Sequence, residues 1–196
     1  ALSGGTGPLG IAKGSRELIQ SGYAKKIPRL LLVQSDSCDP MSQSWRNSKC
    51  KNFPDGWQNS YCVIENPETD IPTLATGAPH LYPVVSDIVK ESNGEIFSFP
   101  ESLTIQIARL VAYEVAVRIG PAASITVGGF LRALHYGYLY DKENIILAIG
   151  EGIRRSPKFL ESLQYTSDFI NDVTQCELID RVTYRNQIWK DVIHKL

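Results

Sequence analysis

Apolar residues fall along this chain in short clusters separated by glycine, proline and polar turns, and the clusters follow two different spacings. In the first stretch Ile11, Ser15, Leu18 and Ile19 share one face of a helix over 8–21, which Ser21-Gly22 terminates. Leu30-Leu31-Leu32-Val33-Gln34 is a short apolar run bounded by turn signals, the pattern of a strand covered on both faces in a parallel sheet. Residues 35–75 have little periodicity and hold Asp39-Pro40, Pro54-Asp55-Gly56 and Asn66-Pro67. They read as an irregular excursion with one short helix near 41–46. Helical spacing returns over Tyr82–Glu91, Asn93-Gly94 makes a turn, and Glu95–Phe99 is a second strand.

Pro100-Glu101 then opens a helix, with proline in the first turn, where it is tolerated, and an acid at the positive end of the dipole. Its apolar face is Leu103, Ile107, Leu110, Val111, Val115 and Val117, and it runs to Gly120-Pro121. Ala122–Leu139 is a further helix, with Ala122, Ala123, Ser124, Gly128 and Gly129 giving it a small-residue face that another backbone can approach closely. After the turn Asp141-Lys142-Glu143-Asn144, the run Ile145-Ile146-Leu147-Ala148-Ile149 predicts a third buried strand ending in Gly150-Glu151-Gly152. Arg154–Leu196 reads as helices of mixed charge. Helices alternating with all-apolar short strands predict an α/β fold with a mostly parallel sheet and flanking helices.

With 196 residues the chain can bury one sizeable core or two small ones. Its 20 basic and 21 acidic residues nearly cancel, which gives no reason to expect a nucleic-acid partner or an anionic membrane surface. No apolar run approaches the ~20 residues of a membrane span. Cys38, Cys50, Cys62 and Cys176 have neither the spacing of a zinc site nor the density of a disulfide framework, so a reduced, cytoplasmic setting is expected. The chain opens inside a glycine-rich loop without an initiator methionine, from which we expect that residues precede Ala1.

That loop carries the clearest chemistry. Ser3-Gly4-Gly5-Thr6-Gly7 places three glycines within four positions immediately before a helix. Backbone amides at a helix N-terminus converge on an anion, and the helix dipole favours negative charge there. A phosphate-bearing ligand is the expected occupant. Gly5-Thr6-Gly7-Pro8-Leu9-Gly10 also matches the dinucleotide pattern G-x-G-x-x-G, with Asp36 after the next strand, so a dinucleotide-binding domain is the alternative. His80 is a candidate pocket residue, whereas His135 and His194 read as core or surface. Cys38 reads as a small buried residue rather than a reactive thiol, and Trp45, Trp57 and Trp189 read as packing residues.

The order of these features resembles the C-terminal half of a fold-type II pyridoxal-phosphate enzyme, in the branch of threonine synthase and cysteate synthase-like proteins. The features are the glycine-rich loop, Ile27-Pro28-Arg29-Leu30, Pro40-Met41, Thr76-Gly77-Ala78-Pro79, strand 95–99, Gly120-Pro121-Ala122-Ala123-Ser124 and Ile149-Gly150-Glu151-Gly152. The resemblance covers about residues 1–157 and implies a tryptophan synthase beta-like fold there, with 158–196 as a helical extension. It implies pyridoxal 5'-phosphate as cofactor, held by Ser3, Gly4, Gly5, Thr6 and Gly7 at its phosphate and met by Ile149, Gly150 and Glu151 at its ring. A small amino acid would be the substrate, for replacement or elimination at its β- or γ-carbon. A preceding N-terminal half and a homodimer mate would be the partners.

Three departures accompany the resemblance. The family's Schiff-base lysine belongs to sequence before the loop, so a non-catalytic subunit lacking that lysine is a further alternative. Ile149 stands where a Ser or Thr usually faces the pyridine nitrogen, and Glu151 is the nearby group able to meet it. Gly120 stands where the family often has an acid before the proline.

Overall fold

The computed structural model describes residues 1–152, 156–163 and 181–196. The chain divides into two compact units, Ala1–Glu101 and Ser102–Leu196.

In the first unit, strand β1 (Leu31–Ser35) pairs in parallel with strand β2 (Glu95–Phe99), Leu31 opposite Glu95 and Ser35 opposite Phe99. Three helices surround this pair: α1 (Thr6–Gln20), α2 (Pro40–Cys50) and α3 (Tyr82–Glu91). Parallel strands need a long crossover, and here residues 36–94 provide it with α2 and α3 inside it. The strand Glu95–Phe99 and the helix Tyr82–Glu91 are observed with the expected bounds, and the first strand lies one residue later than expected, at Leu31–Ser35. The excursion over 35–75 is more ordered than its sequence suggests. Its helix runs over Pro40–Cys50, started by proline at the first turn, and short 3-10 turns follow at Trp57–Asn59 and Pro72–Leu74.

The reason is an aromatic cluster that periodicity does not reveal. Trp45, Phe53, Trp57, Tyr61 and Tyr82 meet edge to face or tilted, with Phe53 and Trp57 centroids 4.8 Å apart and Trp45 and Phe53 5.1 Å apart. The Lys90 ammonium lies 4.4 Å from the Phe53 ring centroid. These rings join Leu2, Ala12, Leu30, Met41, Val85, Ile88, Val89 and Ile96 in one core. Trp45 and Trp57 are thus packing residues, as expected.

The face that α1 buries differs from the predicted one. Pro8 and Ala12 are buried, whereas Ile11 and Leu18 are 43% and 50% exposed. Close packing of α1 against α3 selects the small residues, and the bulkier ones are left outside.

In the second unit, helix α4 (Thr104–Val115) packs against α5 (Pro121–His135), α6 (Pro157–Leu163) and α7 (Arg181–Lys195). A core of Ala108, Ile119 and Ala123 is flanked by Val111, Val127, Phe159 and Leu163. The small-residue face of α5 is buried at Ala122, Ala123, Ser124, Gly128, Gly129 and Ala133, as its composition predicts. Both helices stop short of their expected ends. α4 closes at Ala116 in a left-handed conformation rather than at Gly120, and α5 ends at His135 rather than Leu139.

The predicted strand Ile145–Ile149 is absent. These residues form no ladder, Ile146 is 92% exposed and Ile149 46%. An apolar run states a preference for burial, but a strand also needs a neighbour to satisfy its amides and carbonyls. Among the described residues that adjoin them, the one ladder contact is an isolated bridge between Ile119 and Gly152. The sheet of the described residues therefore has two strands, both in the first unit. Of the predicted C-terminal helices, residues 153–155 and 164–180 lie outside the described residues.

Candidate anion site at the first helix

The chain enters the glycine-rich loop along the other edge of β1, where the Leu2 amide donates to the Val33 carbonyl at 2.7 Å and the Leu2 side chain is buried. The next residue is held as well. The Ser3 and Thr76 hydroxyls are 2.7 Å apart, so the Thr76-Gly77-Ala78-Pro79 segment braces the loop.

Gly5 makes the turn, with φ 100° in the left-handed region that glycine enters at low cost. A Cβ there would also lie 2.7 Å from Val85 Cγ2 on α3, 3.4 Å from Leu81 Cβ and 3.6 Å from Met41 Cε. Gly5 is thus required twice, by conformation and by space. Met41 lies in the first turn of α2, the helix that leaves β1, so the loop sits at the carboxyl end of the strand, where open α/β sheets take their ligands.

α1 begins at Thr6. Its first turn receives no side-chain cap, because the capping position is glycine, and it contains no acidic residue. The first intrahelical bond of this turn is Leu9 N–H to Gly5 O at 3.3 Å, and Pro8 has no amide hydrogen. The amides of Thr6 and Gly7 therefore have no intrahelical acceptor. Thr6 and Gly7 are exposed, with the Thr6 hydroxyl beside them. Gly7 itself is ordinary helix, and a Cβ there would meet nothing within 4 Å, so the unusual backbone of the loop is confined to Gly5. This terminus has open donors, a dipole and no internal anion, which suits a phosphate.

Ile149, Gly150 and Glu151 belong to the second unit. Ile149 and Gly150 are exposed, and a Cβ on Gly150 would meet nothing within 4 Å. The Glu151 carboxylate is engaged, its Oε2 accepting the Ala122 amide at 2.8 Å.

Outside the loop, the carboxyl ends of β1 and β2 are tied together by Glu101. Its carboxylate accepts the Ser35 hydroxyl, the Thr69 hydroxyl at 2.6 Å and the Asp70 amide at 2.7 Å, while its own amide donates to Asp36 Oδ1 at 2.8 Å. No sequence signal marks this cluster, because its members are scattered along the chain and share no motif. It engages Asp36, the residue that the dinucleotide alternative assigns to a ribose. Cys38 is fully buried in the same turn. Burial pushes its thiol up, and the Asp39 and Glu101 carboxylates add to the shift, so it stays a protonated thiol. His80 is exposed. Among the described residues no cluster of metal-ligating side chains occurs, and no helix is long and apolar enough to cross a membrane.

Comparison with known proteins supports a phosphate-bearing cofactor and gives the dinucleotide alternative no support. Residues 1–151 match the family model described as pyridoxal-phosphate dependent enzyme. The chain is 27% identical over 195 residues to the cysteate synthase of Methanospirillum hungatei, covering 96% of this chain and 45% of that protein. It is also 27% identical to the cysteate synthases of Methanothrix thermoacetophila, over 79% of this chain and 37% of that protein, and Methanococcoides burtonii, over 86% and 39%. The chain thus spans about two-fifths of the length of these relatives. With residues 1–151, three-quarters of its length, matched by that model, the chain belongs to the family of pyridoxal-phosphate dependent enzymes.

Proposed function

We propose that this chain supplies the phosphate-binding part of an enzyme that acts on a small amino acid by replacement or elimination at the β- or γ-carbon, as the threonine synthase and cysteate synthase-like resemblance implies. The observation that carries the proposal is the open first turn of α1 behind Gly5. When bound, pyridoxal phosphate supplies an electron sink for the substrate. The chain's own residues hold and orient it. Thr6 and Gly7 offer amides and the Thr6 hydroxyl to the phosphate, Gly4 and Gly5 bring the backbone close, and Ser3 fixes the loop through Thr76. Ile149, Gly150 and Glu151 enter this reading on the resemblance alone. So does the division into a cofactor-binding part over 1–157 and a helical extension over 158–196. In the same reading the Schiff-base lysine comes from a preceding N-terminal half, and the working form is a cytoplasmic homodimer.

The test is a thermal-shift titration of the intact protein with pyridoxal phosphate, inorganic phosphate and NAD. A ligand that binds only the folded state stabilises by about 2.7 kcal/mol at a hundred times its Kd, so the first two are expected to raise Tm and to compete. Thr6→Ala is expected to weaken the phosphate contact by about 0.5–1.5 kcal/mol. Absence of any shift with both phosphates would refute the site. A shift with NAD that disappears in Asp36→Ala would restore the dinucleotide alternative.

A further inference from the structure

Helix α5 begins without a side chain at its capping position. That position is Gly120, which has φ −82° and ψ 176°, extended backbone that any residue adopts. Conformation therefore does not call for glycine there. Space does. A Cβ on Gly120 would lie 2.9 Å from Glu151 Oε2, 3.1 Å from Glu151 Cδ and 3.1 Å from Glu151 Cγ. The space that a side chain at 120 would occupy is filled by the carboxylate of Glu151.

That carboxylate does what a capping side chain does. A residue at the cap normally accepts the amide of the second or third helical residue. Pro121 is the first and has no amide hydrogen, Ala122 is the second, and Ala122 N–H donates to Glu151 Oε2 at 2.8 Å. The backbone reinforces the arrangement, with Gly120 N–H directed at Glu151 O at 3.4 Å and Ile119 bridged to Gly152. The negative charge also sits at the positive end of the α5 dipole.

We propose that Glu151 is a positioning residue that replaces the missing side chain of Gly120, capping α5 from a distant point in the chain and pinning the Gly150-Glu151-Gly152 turn to that helix. One carboxylate position is thus shared by residues 120 and 151, and only one of them can fill it. The consequence separates the two glycine-led helix termini. α1 is left open to an external anion, while α5 carries its own. The inference does not depend on cofactor binding and stands whether or not the phosphate reading does.

A double-mutant cycle tests it in the intact protein. Glu151→Ala is expected to lower Tm by about 2–4 °C, the shift that accompanies loss of a typical cap in a chain of this size. Gly120→Asp is expected to lower Tm in the parent, because two carboxylates then compete for one space. In the Glu151→Ala background the same substitution is expected to raise Tm, because the new acid caps Ala122 directly. Hydrogen exchange distinguishes cap from tether. Glu151→Ala should speed exchange at the first turn of α5 and at 150–152, and adding Gly120→Asp should slow only the former. If Glu151→Ala does not fold, rescue of folding by Gly120→Asp supports the proposal and failure of rescue overturns it. Equal effects of Gly120→Asp in both backgrounds, or unchanged exchange at Ala122 in Glu151→Ala, would overturn it as well.

Discussion

A Cβ on Gly5 would lie 2.7 Å from Cγ2 of Val85, so α1 can rest on α3 only while position 5 has no side chain. The turn that opens the amides of Thr6 and Gly7 and the packing of the first unit therefore depend on the same atom being absent. Positions 5 and 7 are both glycine, but the structure makes different demands on them.

Gly5→Ala is expected to destabilise the protein by about 1–3 kcal/mol, from the left-handed backbone and the clash together, and to weaken phosphate binding with it. Gly7→Ala is expected to leave stability unchanged or to raise it by about 0.5–1 kcal/mol, since position 7 is helical and open. Urea unfolding of the two variants checks this. Equal losses at both positions would show that the loop is not organised around Gly5.

Glu101→Ala removes the acceptor for Ser35, Thr69 and Asp70 at once. Ser35 is fully buried, so its hydroxyl is left without that partner and without water. A loss of about 2–4 kcal/mol is expected, read as a lower urea midpoint at unchanged slope. A loss below about 0.5 kcal/mol would show that the strand ends do not depend on this carboxylate.

Tyr82 is fully buried, and burial pushes its phenol up to about 12. The folded state therefore disfavours the phenolate relative to the unfolded chain, where the value is about 10. The stability this contributes is complete below pH 10 and is lost as pH rises through 12, amounting to about 2–3 kcal/mol. Unfolding measured between pH 9 and 12 should show a steeper alkaline loss in the parent than in Tyr82→Phe. Parallel curves would place the phenol in water.

Alkylation of the folded protein followed by peptide mapping should label Cys50, which is exposed, long before Cys38, which is buried beside Asp39 and Glu101. Cys38 is expected to react only as the protein unfolds. Rapid labelling of Cys38 in the native protein would make it a reactive thiol.

The sequence by itself determined the elements whose boundaries are local. Glycine and proline stop or start a helix through their own backbone restrictions, so Tyr82–Glu91 and the start of α5 could be read directly. An unbroken apolar run located β1, a short segment between turns located β2, and the glycines ahead of the first helix marked the turn at Gly5 from which α1 starts.

Only the tertiary structure decided which surfaces meet. Periodicity alone chose Ile11 and Leu18 for the buried face of α1, but close approach to α3 buries Pro8 and Ala12 instead. The run Ile145–Ile149 has the composition of a buried strand and stays exposed, because pairing needs a neighbouring strand that composition cannot specify. The contacts that fix the sites, Ser3 with Thr76 and Glu151 with Ala122, join residues 73 and 29 positions apart. Hydrogen bonds of that range leave no period in the sequence. They form because folding brings a donor and an acceptor to within 3 Å of each other.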